Sequence, residues 1–319
     1  MKNFIKKVLP IVDIILIPFV YPAAWLLKNI RNAGVKRLPF CKKAFMNVGV
    51  FPIRNHYYEP QFDNRNPRVD FSRDRNLQAI DWNIYRQLEI IESFTFSSEL
   101  ADLPKVKQSS VGFYLNNDAF RSGDAEYWYQ IIRTIKPKRI IEVGSGYSTL
   151  MAIKAINKNS EMDSSYKCKH ICIEPYEMPW LEESGVSVLR KKVEDVELSF
   201  FSRLQEDDFL FIDSSHIIRP QGDVLFEYLE LLPSLNKGVF VHIHDIFSPK
   251  NYLKKWLIDE VKFWNEQYLL EAFLSHNNSW EIIGALNFLH HNYYKEFKAV
   301  APFLSPEREP GSFYIRKKA

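Results

Sequence analysis

The sequence contains few cysteines and little net charge, and these shortages narrow the class of protein. Its 319 residues include three cysteines, too few for a closed disulfide framework, and Cys168 and Cys172 lack the second pair that a zinc site of that spacing needs. The formal net charge of +3 does not indicate the concentrated basic face that nucleic-acid binding needs. Internal repeats and low-complexity tracts are also absent. The sequence therefore predicts a protein of a reducing compartment with no nucleic-acid partner.

The remaining composition is that of an ordinary globular protein. Hydrophobic residues make up 46% and charged residues 25% of the chain, close to the globular average. We predict three parts along the chain: a membrane-associating segment over residues 1–43, an irregular and helical extension over 44–123, and an α/β domain over 124–319. Within the extension, residues 55–76 predict irregular structure, and apolar positions at helical spacing predict a helix over 77–94.

An apolar segment near the N-terminus departs from the average composition. Residues 8–27 (VLPIVDIILIPFVYPAAWLL) have about the length needed to cross a bilayer. Basic residues flank it on both sides, at positions 2, 6 and 7 before it and 28, 31, 36 and 37 after it. Asp13 and three internal prolines argue against a simple span, since a charge in the apolar centre costs about 2.5 to 3.5 kcal/mol. We therefore predict a shallow or re-entrant anchor of a cytoplasmic protein at the inner face of the membrane, with a helix packed on the domain as the alternative.

From residue 139 onward, short apolar runs alternate with helical patterns. Strands are predicted over 139–143, 170–174, 186–189, 209–213, 239–244, 280–289 and 312–316. Predicted helices cover 125–135, 149–157, 223–235 and 252–274. Alternation of strand and helix is typical of a parallel sheet with helices on both faces. The predicted fold class is therefore α/β, a doubly wound, mostly parallel seven-stranded sheet.

A glycine loop joins the first predicted strand to the following helix. Residues 144–146 (GSG) allow the backbone to approach a ligand closely, and the helix N-terminus offers unpaired N–H groups. A dinucleotide fingerprint would have a third glycine where Thr149 stands. Instead Glu142 directly precedes the loop and Glu174 ends the second strand. An acid at that second strand suits two ribose hydroxyls, and an acid beside the loop suits an ammonium group.

Polar side chains also follow the fourth and fifth strands, where Asp213, His216, His244 and Asp245 are expected to share one crevice. His216 is the best candidate for a general base, because an imidazole can accept a hydroxyl proton near neutral pH; the alternative is a structural histidine that caps the next helix. His242 and His244 lie on one face of a strand and with a carboxylate could form the facial triad of an oxygenase, but a parallel α/β scaffold is wrong for most such enzymes. We interpret His242 as structural and leave His244 open.

Residues 139–316 resemble the class I S-adenosylmethionine (SAM)-dependent methyltransferases, particularly the group that includes macrocin O-methyltransferase and catechol O-methyltransferase-like enzymes. The resemblance rests on the glycine loop, on Glu174 and on Asp213, and it departs from the commoner pattern at Ser148, where a third alternating glycine often stands. It implies a Rossmann-like methyltransferase fold with SAM as the cofactor. The implied cofactor-binding residues are Glu142, Gly144, Ser145, Gly146, Tyr147, Ser148, Glu174 and Asp213.

The same resemblance implies the chemistry. His216, Asp213 and His244 become the candidate catalytic residues. Metal-dependent members place carboxylates where Asp213 and Asp245 stand, so these two are candidate Mg²⁺ ligands, although Ile246 stands where a third oxygen ligand often follows.

The expected reaction is O-methylation of a hydroxyl on a small-molecule, glycan or lipid-linked acceptor. An NAD(P)-dependent oxidoreductase of Rossmann type and a catalytically inactive, membrane-associated adaptor are the alternatives. The sequence leaves the oligomeric state open.

Overall fold

The computed structural model describes residues 2–62, 67–109, 111–176 and 178–319, and the side chains from residue 8 onward. The side chains of the basic residues at positions 2, 6 and 7 are therefore not described. Residues 63–66, within the segment 55–76, also lie outside the described residues. Two compact units are present, residues 1–68 and residues 69–319. The predicted boundaries near residues 43 and 123 stay predictions.

The first unit is dominated by one long helix. Helix α1 covers Lys2–Ala33, a 3₁₀ turn covers Val35–Arg37, and α2 covers Pro39–Val48. By length and composition, the stretch Val8–Ala33 could cross a membrane, with a mean hydropathy of 1.9 in a window that is not buried. Helix α1 runs unbroken through its three prolines, and the predicted shallow or re-entrant anchor stays a prediction. A proline removes one intrahelical hydrogen bond, and the apolar residues between the prolines continue the helix.

The second unit is built on a sheet of seven strands within the described residues. The strands are β1 Arg139–Val143, β2 Lys169–Ile173, β3 Ser187–Leu189, β4 Phe209–Ile212, β5 Phe240–Ile243, β6 Trp280–Ala285 and β7 Phe313–Lys317. Their order is β3-β2-β1-β4-β5-β7-β6, and β7 runs antiparallel to both of its neighbours while the other pairs are parallel. The predicted doubly wound, mostly parallel sheet is confirmed.

Helices cover both faces of this sheet, so its central strands β1, β4 and β5 are buried on both sides, whereas the edge strand β3 is partly exposed. The α-helices of this unit are α3 Ile84–Glu92, α4 Asp124–Ile135, α5 Tyr147–Met162, α6 Leu198–Phe201, α7 Asp223–Phe226, α8 Leu232–Ser234, α9 Glu266–Leu274, α10 Leu286–Asn292 and α11 Tyr294–Val300. π-helical turns cover Glu227–Leu231 and Lys255–Asp259. Alternate strand residues divide between two cores: Ile140 packs with α4 and α5, and Ile141 packs with α9. Ile140 and Ile141 thus belong to different cores, as the two-residue period of a strand requires, and each core holds the helix residues on its own face of the sheet.

Three predicted elements differ from the structure. The helix predicted over 77–94 is confined to α3. The helix predicted over 252–274 is interrupted at residues 260–265, where Val261 has a φ of 52°. The strand predicted over 280–289 ends at Ala285, and α10 follows directly. Apolar runs alone do not separate a buried strand from a buried helix, and tertiary contacts decided these boundaries.

Candidate active site

The loop after β1 approaches the end of β4 so closely that only glycine fits at its first position. Gly144 has a φ of 78°, and a Cβ atom there would collide with the backbone carbonyl oxygen of Asp213. The backbone N–H of Asp213 donates to the carbonyl of Val143 at 2.9 Å, which fixes the two strand ends together. Helix α5 then begins at Tyr147. The sequence-predicted loop and the polar end of β4 therefore form one edge.

A buried ion pair supports the loop from below. Glu142 is fully buried, and its Oε1 lies 2.7 Å from Nε2 of His170 on the neighbouring strand. Its Oε2 accepts hydrogen bonds from the hydroxyls of Ser148 at 3.2 Å and Thr149 at 2.7 Å. The structure therefore places Glu142 beneath the loop, where it does not line a cleft. This position does not support the predicted direct contact between Glu142 and the cofactor.

The raised pKa of His170 favours the positively charged form of its ring. Burial of the ring acts to lower the pKa of His170, but the charge of Glu142 and hydrogen bonds to Cys172 and Glu142 raise it to about 10. Sequence reasoning missed His170. The available signal was an acid in β1 and a histidine in the neighbouring β2: the register pairs Glu142 with Cys172, and His170 lies two positions earlier, on the same face of the sheet.

Two cavities lie beside the glycine loop at the carboxyl edge of the sheet. One, of about 420 Å³, lies between the ends of β1, β2 and β4 and is lined by Gly144, Glu174 and Asp213. The other, of about 350 Å³, follows the loop into α5 and is lined by residues 144–148 together with Phe120, Glu174, Asp213 and His244. All the predicted cofactor-binding residues except Glu142 therefore line one cavity or both.

The four polar residues after β4 and β5 form one cluster. Nε2 of His216 lies 3.2 Å from Oδ1 of Asp213 and 3.6 Å from Oδ2 of Asp245. Nδ1 of His244 lies 3.5 Å from both Asp213 and Asp245. His216 and Asp245 each have a φ of 60°, a left-handed conformation that costs non-glycine residues about 1 to 3 kcal/mol and is concentrated at functional sites.

A residue that the sequence did not indicate orients His216. Glu266, at the start of α9, is fully buried and its Oε2 lies 2.7 Å from Nδ1 of His216. Its other oxygen accepts a hydrogen bond from the hydroxyl of Tyr228 at 3.0 Å. Because Nδ1 is occupied, Nε2 is the nitrogen that faces the cluster. Glu266 lies 50 residues from His216 in a segment predicted as a continuous helix, so no local pattern signalled this contact.

Charges within the cluster set the pKa values. Burial acts to lower the pKa of His216, but hydrogen bonds to Asp213 and Glu266 outweigh it and raise that pKa well above its usual value. For His244 burial acts in the same direction, and Asp245 and Asp213 raise its pKa to about 10. Burial would raise the pKa of Asp213, but the two histidines lower it. The ligand atoms of Asp213, His216 and Asp245 lie within 4.8 Å of one another, so this group could hold a metal ion.

His242 lies in the core behind this cluster, with its ring centroid 6.3 Å from that of His244. It is fully buried, its ring stacks on Tyr314 with centroids 4.1 Å apart, and neither ring nitrogen has a partner among the described residues. Burial lowers the pKa of His242 well below its usual value, so the ring is neutral.

Comparison with known proteins agrees with this architecture. A family model described as a methyltransferase domain matches residues 141–246, from β1 to the polar cluster. An uncharacterized protein of Archaeoglobus fulgidus is 30% identical over 171 residues, which cover 50% of this chain and 75% of that protein.

Two solved structures are also found among the matches to this chain. The O-methyltransferase from Bacillus cereus in complex with S-adenosylhomocysteine has 14% identity and a TM-score of 0.34, covering 73% of this chain and 91% of that one. A structure titled cmcI-D160 Mg-SAM has 14% identity and a TM-score of 0.36, covering 80% and 90% of the two chains. Likenesses of this degree do not bear on the acceptor.

The mixed seven-stranded sheet and the glycine loop after β1 define a Rossmann-like methyltransferase domain. The chain belongs to the class I SAM-dependent methyltransferases. The dinucleotide-dependent oxidoreductase weighed from the sequence is not supported by this family assignment.

Proposed function

We propose that this methyltransferase transfers the methyl group of SAM to a hydroxyl oxygen at the cluster formed by Asp213, His216, His244 and Asp245. The observation that carries the proposal is the position of Asp213, which lines both cavities beside the glycine loop and lies 3.2 Å from His216. A cofactor held along the loop would thus lie next to an imidazole that can remove a proton.

The two cavities suit different parts of the cofactor. The cavity of about 420 Å³ has Glu174 at the end of β2, the position expected to bind the ribose hydroxyls. The cavity of about 350 Å³ contains the N-terminal turn of α5, which favours the carboxylate of the methionine part. Ser145 also lines this cavity, and its hydroxyl oxygen is buried without a partner among the described residues. Buried polar groups are usually hydrogen-bonded, so this hydroxyl is a candidate ligand contact.

The chemical step is an in-line displacement. The acceptor oxygen forms a bond to the methyl carbon while the carbon–sulfur bond breaks, and its proton moves to Nε2 of His216. Glu266 holds the ring by Nδ1 and stabilises the imidazolium that results. Since the pKa of His216 is raised, the neutral ring grows in population as pH rises, and the rate is expected to increase toward alkaline pH.

The donor set also fits a divalent cation. Asp213 and Asp245 would supply hard carboxylate oxygens of the kind Mg²⁺ prefers, and His216 would be a third neighbour. A bound Mg²⁺ would supply positive charge that favours the ionised form of an acceptor hydroxyl.

The acceptor is proposed to be a small molecule, a glycan or a lipid-linked precursor, reached from the inner face of the membrane. Support for the membrane comes from α1, whose apolar side chains such as Leu16 are exposed. Co-sedimentation of the full chain with phosphatidylglycerol-containing vesicles tests this contact. Leu16→Asp should reduce sedimentation, whereas Leu229→Asp, a change of another exposed leucine, should not. A wild-type chain that stays in the supernatant would refute membrane contact.

Transfer of labelled methyl groups from SAM into membrane and soluble cell extracts tests the catalytic assignment. Asparagine, like histidine, tolerates the left-handed backbone of position 216. We expect His216→Asn to lower transfer at least a hundredfold, which is the lower end of general-base contributions. His276→Asn is the matched control, because His276 is exposed and has a similar φ of 56°. Asp213→Asn should also lower transfer.

Full transfer by both His216→Asn and Asp213→Asn would overturn the assigned roles. Absence of transfer by the wild-type chain in every extract would favour the inactive adaptor instead. Label in the soluble extract alone would argue against a lipid-linked acceptor.

A further inference from the structure

A third cavity, of about 530 Å³, lies outside the two cavities assigned to the cofactor. Three cationic side chains line it, those of Lys105, Arg121 and Arg308, together with the polar residues Asn116, Ser122 and Ser305. The cationic residues come from three separate segments of the chain. The fold therefore gathers positive charge and hydroxyl groups around one cavity.

The positive charge of this cavity is not balanced by ion pairs. Within the described residues, none of the three cations lies within 4.0 Å of a carboxylate oxygen. Arg121 uses Nε to bind the carbonyl of Asn117 at 2.5 Å, which leaves its two terminal nitrogens for other partners. Nε of Arg308 is buried and has no partner in the same set of residues. An unpartnered buried guanidinium nitrogen is costly, and a bound anion would satisfy it.

Three acids lie near the cavity, and each is engaged by other groups; the exposed Glu307 is hydrogen-bonded to Ser305, which lowers its pKa. Glu126 accepts hydrogen bonds from the hydroxyl of Ser122 and the backbone N–H of Gly123 through one oxygen, and from the N–H of Phe303 through the other. Burial raises the pKa of Glu126, against the opposing effect of these three hydrogen bonds. Asp124 accepts from the backbone N–H groups of residues 311 and 312. Burial lowers the pKa of Arg308; the charge of Arg121 adds to this effect, and the charges of Asp124 and Glu126 oppose it.

Short chain connections link this cavity to the polar cluster. Gly311, three residues after Arg308, accepts a hydrogen bond from the N–H of Ile246 at 2.7 Å, next to Asp245. Phe120, next to Arg121, lines the loop-side cavity and packs against His244 with ring centroids 5.2 Å apart. The linings of the cationic cavity and of the loop-side cavity are therefore neighbours along the chain at Phe120 and Arg121.

We propose that this cavity binds a phosphoryl or diphosphoryl group carried by the methyl acceptor. Two arginines present planar donor pairs that match phosphate oxygens, and the ammonium group of Lys105 adds a further cationic donor. A cavity of about 530 Å³ has room for more than one phosphoryl group. The link to the acceptor rests on the proposed function, whereas anion binding itself does not.

Calorimetric titration of the full chain with inorganic diphosphate tests the proposal directly. We expect saturable binding by the wild type and at least tenfold weaker binding by Arg308→Gln and by Arg121→Gln. Arg308→Lys keeps the charge but loses the planar donor pair and should bind with intermediate affinity. Lys237→Gln, which removes an exposed charge in the turn before β5, is the matched control and should bind like the wild type. Equal binding by all variants, or no binding by the wild type, would overturn the proposal.

Parallel titration with SAM separates this proposal from the methyltransferase assignment. SAM affinity should be unchanged in the arginine variants, which also shows that they fold. If diphosphate binds and SAM does not, the proposed function fails while the anion site stands. Displacement of diphosphate by a polyprenyl diphosphate in detergent supports a lipid source, and displacement by a soluble sugar phosphate supports a soluble one. If neither competes, the acceptor link is wrong.

Discussion

The buried pair of Glu142 and His170 gives a sharp prediction, because it connects the stability of the sheet to the cofactor loop. His170→Leu removes the partner 2.7 Å from a fully buried carboxylate. Breaking a buried ion pair on one side costs about 3 to 5 kcal/mol, since the remaining charge is uncompensated. Urea denaturation at pH 7 should show a loss of this size in the free energy of unfolding. Adding Glu142→Gln should recover part of that loss, because no buried charge is left behind.

The effect should depend on pH in a defined direction. The pKa of His170 is raised from 6.5 to about 10 in the folded chain, so the native state holds a proton that the unfolded state releases between these values. Stability from this proton is complete below about pH 6.5 and falls by about 1.4 kcal/mol per pH unit above it. The difference between wild type and His170→Leu should therefore shrink by about 3 kcal/mol from pH 7 to pH 9.

A surface pair provides the control for this experiment. Arg86→Gln breaks the exposed pair with Glu89, and we expect a loss below about 1 kcal/mol at either pH. His170→Leu should also weaken SAM binding, because Glu142 anchors the first turn of α5, and Arg86→Gln should not. A loss below about 1 kcal/mol in His170→Leu, or a difference that does not change with pH, would refute the buried ion pair.

Three further changes test other parts of the account. Gly144→Ala should weaken SAM binding at least tenfold by forcing the loop away from β4, whereas Gly185→Ala, at a similar φ of 84° with open space around it, should not; equal affinities in a titration would contradict this. Glu266→Gln should shift the low-pH limb of the pH–rate profile to lower pH by about 1 to 2 pH units, since a charge-assisted hydrogen bond contributes about 1.5 to 3 kcal/mol. A limb at the same pH would exclude a positioning role for Glu266. His242→Phe should change the free energy of unfolding by less than about 1 kcal/mol and preserve methyl transfer, because the removed nitrogens have no partner among the described residues; loss of transfer would indicate a catalytic role.

The parts of the site that sequence could predict are those that topology brings together. Asp213 and Asp245 follow adjacent parallel strands, so a correct strand assignment was sufficient to place them at one edge. The role of Gly144 could also be predicted, because a glycine between a strand and a helix indicates close approach of the backbone.

The parts that sequence could not predict depend on contacts between distant segments. Glu266 reaches His216 only because the helical pattern of residues 252–274 is interrupted before α9. Arg121 and Arg308 share a cavity although 186 positions separate them in the chain. No local periodicity or spacing in the sequence signals either contact, so both could be found only from the folded structure.

Methyl transfer as proposed requires that the glycine loop and the two cavities beside it bind SAM. Calorimetric titration of the full chain with SAM, and separately with NAD⁺, measures this binding. We predict saturable one-to-one binding of SAM and no binding of NAD⁺ at the same concentrations. Binding of NAD⁺ without binding of SAM would contradict the account.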